Sequence, residues 1–177
     1  MSAADGTLAG LLITGTVGAG KTTVADSVGD LLVLRSIPHA VVDLDQLRLS
    51  WPSPAGDPFN YAMEIRNLTS VTANYRQAGA TRLVLAGVIE HRSALVDYEK
   101  AVGCPLFVVR LRAHADVLTD RLRERHSRDP EGLVWHLNRA PRLTAILDQA
   151  CVAHVEVETS GRPVGDVAAE VLAAAGW

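Results

Sequence analysis

Eight consecutive residues, Gly15, Thr16, Val17, Gly18, Ala19, Gly20, Lys21 and Thr22, follow the pattern G-x-x-x-x-G-K-[ST]. Glycines at these spacings let the main chain bend tightly, so that successive N–H groups face the oxygens of a phosphate chain. A helix starting at the end of the pattern adds the positive end of its dipole to the same cradle. In that setting Lys21 is expected to reach the β- and γ-phosphates of ATP as a point charge, and the Thr22 hydroxyl to ligate the Mg²⁺ that bridges them. Thr23 follows in the first helical turn and joins the expected nucleotide contacts. The chain holds only two lysines, Lys21 and Lys100, and finding one of them inside the glycine loop favours a specific role over an ordinary glycine turn.

Three further groups of residues carry chemistry. Asp43 and Asp45 leave a short apolar run as alternate residues, which lets both project into one cleft, although capping of a helix near Leu44 is a competing role. Arg121 and Arg125 stand four apart on one helical face, in a stretch that also holds Arg123 and Arg128. Guanidinium groups there can neutralise charge on a transferring phosphoryl group, or can pair internally with Asp120, Glu124 or Asp129 on a solvated helix. Residues 159–163, Thr-Ser-Gly-Arg-Pro, follow a strand-like run and read either as a simple turn or as a nucleotide contact through Gly161, Arg162 and Pro163.

The elements that must position these groups alternate along the chain. Short apolar runs at residues 11–14, 40–42, 82–89, 106–111 and 155–158 read as strands. Helical spacing is expected between them: after the glycine loop, over 60–78 with Gly79 as C-terminal cap, over 91–102, over 114–125, over 132–152 with a break at Pro141, and at the C-terminus. Parallel strands need crossover connections, so strands separated by helices imply a parallel sheet covered on both faces, an α/β fold. No repeat, low-complexity tract or linker divides the 177 residues, and one domain is expected.

With these residues in view, the chain resembles the small-molecule and nucleoside kinases of the P-loop class, which include shikimate, gluconate and adenylylsulfate kinases and chloramphenicol phosphotransferase. The resemblance rests on the loop at 15–22, Asp43 and Asp45, the arginine-rich stretch 121–128 and residues 159–163. It implies a P-loop NTPase fold with five parallel strands in the order 2-3-1-4-5 and a small lid near 126–132. It also implies Asp43 as base or metal-shell ligand, Arg121 and Arg125 on the triphosphate, and the 159–163 segment against adenine. Asp45, Arg48 and Arg66 are the expected acceptor contacts, with Trp51, Tyr61 and His91 nearby in sequence or in the expected fold. The third strand lacks the terminal aspartate usual in such proteins, and Glu90 is the candidate replacement.

The implied activity is transfer of the ATP γ-phosphate to a small-molecule acceptor, and the acceptor-binding residues match no single acceptor. A nucleotide-dependent switch is the rival. Against it, the chain has no N-K-x-D signature, and its only early D-x-x-G, at residues 26–29, falls within the first helix. A net charge of -3 offers no broad cationic field for nucleic acid or anionic lipid. The longest apolar runs, such as 83–89, fall far short of the roughly 20 residues that cross a bilayer, and the N-terminus carries Asp5 in place of a basic signal region. A cytoplasmic protein is expected, with Cys104 and Cys151 as thiols.

Overall fold

The computed structural model describes residues 8–177, so Asp5 lies outside the described residues. Five strands form one parallel sheet: β1 (Ala9–Gly15), β2 (His39–Asp43), β3 (Arg82–Ala86), β4 (Leu106–Arg112) and β5 (Val155–Glu158). Their order is β2-β3-β1-β4-β5, so β1 lies in the middle, with β3 and β4 as its neighbours. Seven helices make the connections: α1 (Lys21–Leu34), α2 (Leu44–Leu47), α3 (Tyr61–Gln77), α4 (Arg92–Val102), α5 (Ala115–Arg125), α6 (Pro130–Ala150) and α7 (Val164–Ala174).

Alternation along β1 explains how one strand serves two cores. Leu11 and Ile13 face α1 and α7, packing with Val24, Val28, Leu32 and Val171. Leu12 faces the other way, into a cluster with Leu68 of α3, Tyr98 of α4 and Leu85 of β3. Because both faces are covered, the central strand reads as a continuous apolar run. The site-bearing ends are level by register: Asp43 is opposite Ala86, and Ala86 is opposite Ile13. The chain segments leaving β1, β2 and β3 therefore emerge side by side at the carboxyl edge, where open parallel sheets bind ligands.

Two expectations need correction. The third strand stops at Ala86 and does not reach Ile89. Gly87 still donates to the Ile13 carbonyl (3.1 Å), but beyond it the ladder gives way to a side-chain contact, the Ile89 N–H donating to the Thr14 hydroxyl (3.4 Å). Gly87 is also packed against Leu44, where an added Cβ would sit 2.5 Å from Leu44 Cδ1. The second correction concerns α6, which runs through Pro141 from Pro130 to Ala150 without a break. The carbonyl of Ala140, next to that proline, accepts the Thr16 hydroxyl (2.9 Å) as well as the Thr144 hydroxyl (3.0 Å). Tertiary hydrogen bonding thus engages the backbone beside the proline, which by propensity alone interrupts a helix.

The glycine loop rests on α5. An added Cβ at Gly18, whose φ is +79°, would lie 3.3 Å from Leu122 Cγ, and Leu122 itself is fully buried. Leu122→Ala is expected to lower unfolding free energy by about 2–5 kcal/mol and to loosen the loop above it. Denaturant melts with and without nucleotide check this; a loss below about 1 kcal/mol would mean the site repacks freely.

Candidate active site

The residues 15–22 form a turn between β1 and α1, as the pattern requires, with Gly20 in the left-handed region (φ +92°) immediately before the helix. Lys21 Nζ donates to the carbonyl of Thr16 (3.1 Å), folding the side chain back over its own loop. Burial lowers its pKa to about 8; Asp45 and Asp43 resist that shift, while Arg125 and Arg48 add to it. Thr16 itself is buried and pins the loop to α6 through the bond to Ala140.

Asp43 takes the capping role that the sequence allowed, and it also meets the glycine loop. As N-cap of α2, its Oδ1 accepts the N–H of Asp45 (2.9 Å), and its Oδ2 accepts the Thr22 hydroxyl (2.7 Å). A hydroxyl and a carboxylate thus meet at the end of the glycine loop, a set of hard oxygens that suits Mg²⁺, which commonly takes one or two protein ligands and keeps water and phosphate as the rest. Among the described residues no cluster of three or more His, Cys, Asp and Glu side chains exists that would hold a metal by itself.

Asp45, one helical residue further on, lines a cleft of about 830 Å³ that begins at Val17 and Lys21. Arg48 lies in the same cleft, paired with Asp45 and with Glu64 (Nε to Oε2, 3.4 Å). Burial opposes the Arg48 charge, and Asp45 and Glu64 more than offset that, holding its pKa above the usual value. Glu64 is wholly buried, and burial raises its pKa against the pull of the Tyr98 hydroxyl and Arg48. Tyr61 lines the cleft and donates to Asp97 Oδ2 (3.2 Å); burial and Asp97 push its phenol well above the usual range, so it remains a donor at neutral pH.

Arg66 stands exposed on α3 and is not among the residues lining the cleft, so the structure does not bring this expected acceptor contact to the site. Trp51 is likewise exposed and outside it. His91 and Glu90 do line it, and Glu90 is paired with Arg139 of α6. The expected lid reduces to a turn at 126–129, with residues 130–132 already the first turn of α6. Asp129 caps that turn by accepting the Gly132 N–H (2.9 Å), and Pro130 occupies a first-turn position where its missing N–H costs nothing.

The two arginines of α5 divide. Arg121 is tied down: it donates to the Thr159 hydroxyl (3.0 Å), the Thr159 carbonyl (3.0 Å) and the Gly18 carbonyl (3.4 Å). It therefore joins the glycine loop to the segment after β5, the two walls between which a nucleotide base and its phosphates would lie. Arg125 is exposed at the end of α5, close enough to Lys21 to affect its charge. Arg123 pairs with Asp120 (3.3 Å), the internal pairing the sequence allowed. After β5, Gly161 (φ +66°) has open space around its α-carbon, while Arg162 is held by the Glu158 carbonyl (2.9 Å) and Glu170 (2.7 Å). Arg121→Ala is expected to weaken nucleotide binding roughly tenfold or more, through loss of a charged hydrogen-bonded clamp. Calorimetric titration with ADP checks it, and an unchanged affinity would show that the two walls hold their spacing without the arginine.

Arg139 and Arg142 are further arginine candidates beyond the expected lid, and of the two only Arg139 lines the cleft; sequence reasoning missed Glu64, Asp97, Tyr98 and Trp135 as parts of this region. The one available signal was spacing: Glu64 shares a helical face with Tyr61, Ile65 and Leu68, an acidic residue in an otherwise buried stripe.

The parallel sheet order and the glycine loop after the central strand define a P-loop NTPase fold. A family model described as AAA domain matches residues 11–138, most of the chain, and the protein belongs to that family. No curated protein matches the sequence. Among solved structures, the tunicamycin resistance protein of Deinococcus radiodurans aligns with a TM-score of 0.65 at 22% identity, covering 95% of this chain and 96% of that one. Shikimate kinase from Acinetobacter baumannii, in complex with shikimate, gives 0.64 at 20% identity over 94% and 92%. A gluconokinase from Sinorhizobium meliloti gives 0.59 at 19% identity over 95% and 91%. These likenesses establish the fold expected from the motifs. No helix of the described residues is long and apolar enough to cross a membrane.

Proposed function

We propose that the protein is an ATP-dependent phosphotransferase that moves the γ-phosphate of ATP to a hydroxyl of a small molecule. The observation that carries this reading is the extent of the site: the cleft that starts at Lys21 and Val17 runs past Asp45 to side chains of α3, α4 and α6. A protein that only sensed nucleotide would have no use for a cleft that continues beyond the phosphate loop, whereas a transferase must place an acceptor there, in line with the terminal phosphate.

In this reading the loop amides and Lys21 hold the phosphates, and Arg121 fixes the base side by joining Gly18 to Thr159. Thr22 and Asp43 would hold Mg²⁺, which when bound supplies positive charge to the phosphate oxygens. Asp43 has both carboxylate oxygens engaged, one by Thr22 and one by the α2 backbone, so it suits the metal role. Of Asp43 and Asp45, Asp45 is the one that lines the cleft, beside Lys21, and it is therefore assigned to the acceptor hydroxyl. As the acceptor oxygen bonds to the γ-phosphorus, the bond from phosphorus to the β,γ-bridging oxygen breaks, ADP leaves with that electron pair, and the acceptor proton passes to Asp45. Arg125, free at the end of α5, is placed to offset charge on the transferring group if it turns inward.

ADP release measured with and without candidate hydroxylated acceptors, together with the mass of the product, tests the reading. Acceptor-dependent release and a phosphorylated acceptor are expected. ATP hydrolysis that ignores every acceptor would favour the nucleotide switch instead.

A further inference from the structure

Many polar side chains on the cleft wall are engaged within the protein. Arg48 is paired with Asp45 and Glu64, Arg139 with Glu90, and Tyr61 donates to Asp97. The Asn60 amide donates to the carbonyls of Arg48 (2.9 Å) and Ser50 (3.0 Å). His91, Ser50 and Ser93 also line the cleft, but they are exposed, and the His91 side chain makes no capping bond at the start of α4. His136 of α6, on the same wall, differs from all of these, because one of its ring nitrogens is used to orient the other.

His136 Nδ1 lies 2.7 Å from the carbonyl oxygen of Gly132. A carbonyl only accepts, so Nδ1 carries the hydrogen, and the neutral ring keeps its lone pair on Nε2. His126 stacks on the ring (centroids 4.4 Å apart, planes at 28°), and Trp135 meets it edge to face (4.8 Å, 81°). The two neighbouring rings and the Gly132 bond together fix the plane of the imidazole. Among the described residues Nε2 of His136 has no hydrogen-bond partner, and unlike Nε2 of His126 it is not sealed from solvent.

An acceptor atom held in one direction on a cleft wall, with its tautomer set from behind, is the arrangement by which a site reads a donor group. Its place along α6 fits a molecule that also reaches the phosphate loop. Ala140, four residues further on, accepts the Thr16 hydroxyl of that loop (2.9 Å), and four residues of helix rise about 6 Å. A small molecule with one hydroxyl at the terminal phosphate and a second polar group a few bonds away spans such a distance.

Resting on the phosphotransfer reading, and deepening it, we propose that Nε2 of His136 accepts a hydrogen bond from a second donor group of the acceptor, a hydroxyl or amine N–H other than the one phosphorylated. His136 is then a specificity-determining residue that touches the acceptor, and the proton of the reacting hydroxyl still passes to Asp45. The wall selects for two donor groups at a set separation.

The test uses the full protein with saturating ATP and Mg²⁺ and reads acceptor-dependent ADP release with shikimate, gluconate, glucose, myo-inositol, chloramphenicol and tunicamycin. The best of them is then compared with analogues that each lack one hydroxyl or amine donor. With the wild type, one analogue altered away from the phosphorylated position is expected to show KM raised about tenfold, the worth of one hydrogen bond, with kcat changed less than twofold. His136→Phe keeps an aromatic ring for the stack and removes both nitrogens, while the Gly132 carbonyl keeps its place in the helical bonding of α6. This variant is expected to raise KM for the intact acceptor by the same factor and to add no further loss with that analogue, since the two changes remove a single bond. His136→Gln, whose side-chain oxygen can stand near the position of Nε2, should recover part of the loss. A merely structural role would give another pattern, with kcat lowered, the analogue's deficit still present in His136→Phe and nothing regained by glutamine. That pattern, or an unchanged KM in His136→Phe, overturns the role of His136 and leaves phosphotransfer standing. Transfer to none of these acceptors, with ADP binding intact by calorimetry, overturns phosphotransfer and this contact together.

Discussion

Lys21→Ala is expected to reduce kcat/KM for phosphoryl transfer by roughly a hundred- to a thousandfold, the usual loss when one preorganised charge or donor is removed from the transition state. The geometry makes no provision for a substitute. Arg48 is committed to Asp45 and Glu64, and Arg121 to Thr159 and Gly18. Steady-state kinetics with circular dichroism as a folding control give the measurement, and a loss below tenfold would mean that another cation, with Arg125 the nearest free one, takes over. The pH dependence follows from the same side chain. In the free protein burial lowers the Lys21 pKa to about 8, so below that pH the ammonium is in place before nucleotide arrives. Above it, nucleotide must bind together with a proton, and ADP affinity should fall by at most about tenfold per pH unit. The sign for stability is opposite. Between about 8 and the ordinary value of 10.5 the unfolded chain keeps a proton that the folded one has released, so Lys21 makes the free protein more stable as pH rises through that window. Titrations from pH 7 to 10 that show flat affinity would place Lys21 outside the phosphate site.

Asp45→Asn is expected to lower kcat by about a hundredfold or more, within the range for loss of a positioned general base, while ATP affinity changes little. The amide keeps the shape and a hydrogen-bonding oxygen towards Arg48 but accepts no proton. Asp43→Asn should differ in kind. It disturbs the contact with Thr22 (2.7 Å) while the amide oxygen can still cap α2, so the expected signature is a raised Mg²⁺ requirement with little change in stability. Running both variants against a Mg²⁺ titration separates the roles. Should Asp43→Asn lose kcat at saturating Mg²⁺ while Asp45→Asn retains it, the base assignment must move from Asp45 to Asp43.

Much of the scaffold was legible because the relevant signals are local. Residues 11–14 form a strand and the following loop has its glycines at fixed offsets, so Lys21 and Thr22 could be placed before any coordinates. The same holds for Asp43, since an acidic residue leaving a short β-branched run marks both a strand end and a helix cap. The sheet order came from family resemblance, not from spacing, and register confirms that Asp43 ends level with the glycine loop. Local signals misled at Pro141, where tertiary contacts override intrinsic preference, and at residues 87–89, where apolar character persists after the regular backbone ladder has ended.

The cleft proposed for the acceptor was much less legible. Arg48 and Arg66 looked equivalent in the sequence, but one is enclosed by Asp45 and Glu64 and the other is exposed on α3. Glu64, Asp97 and Glu90 lie on three different segments, and only folding shows that Glu64 meets Arg48, Glu90 meets Arg139 and Asp97 accepts the Tyr61 hydroxyl. The amino-acid order by itself determined the phosphate cradle, because closely spaced glycines, a lysine and a hydroxyl act through backbone geometry within one turn of chain. The tertiary structure alone decided the character of the acceptor pocket, because a pocket's charge is a sum over side chains brought together from distant segments, and pairing cancels charges that composition counts separately.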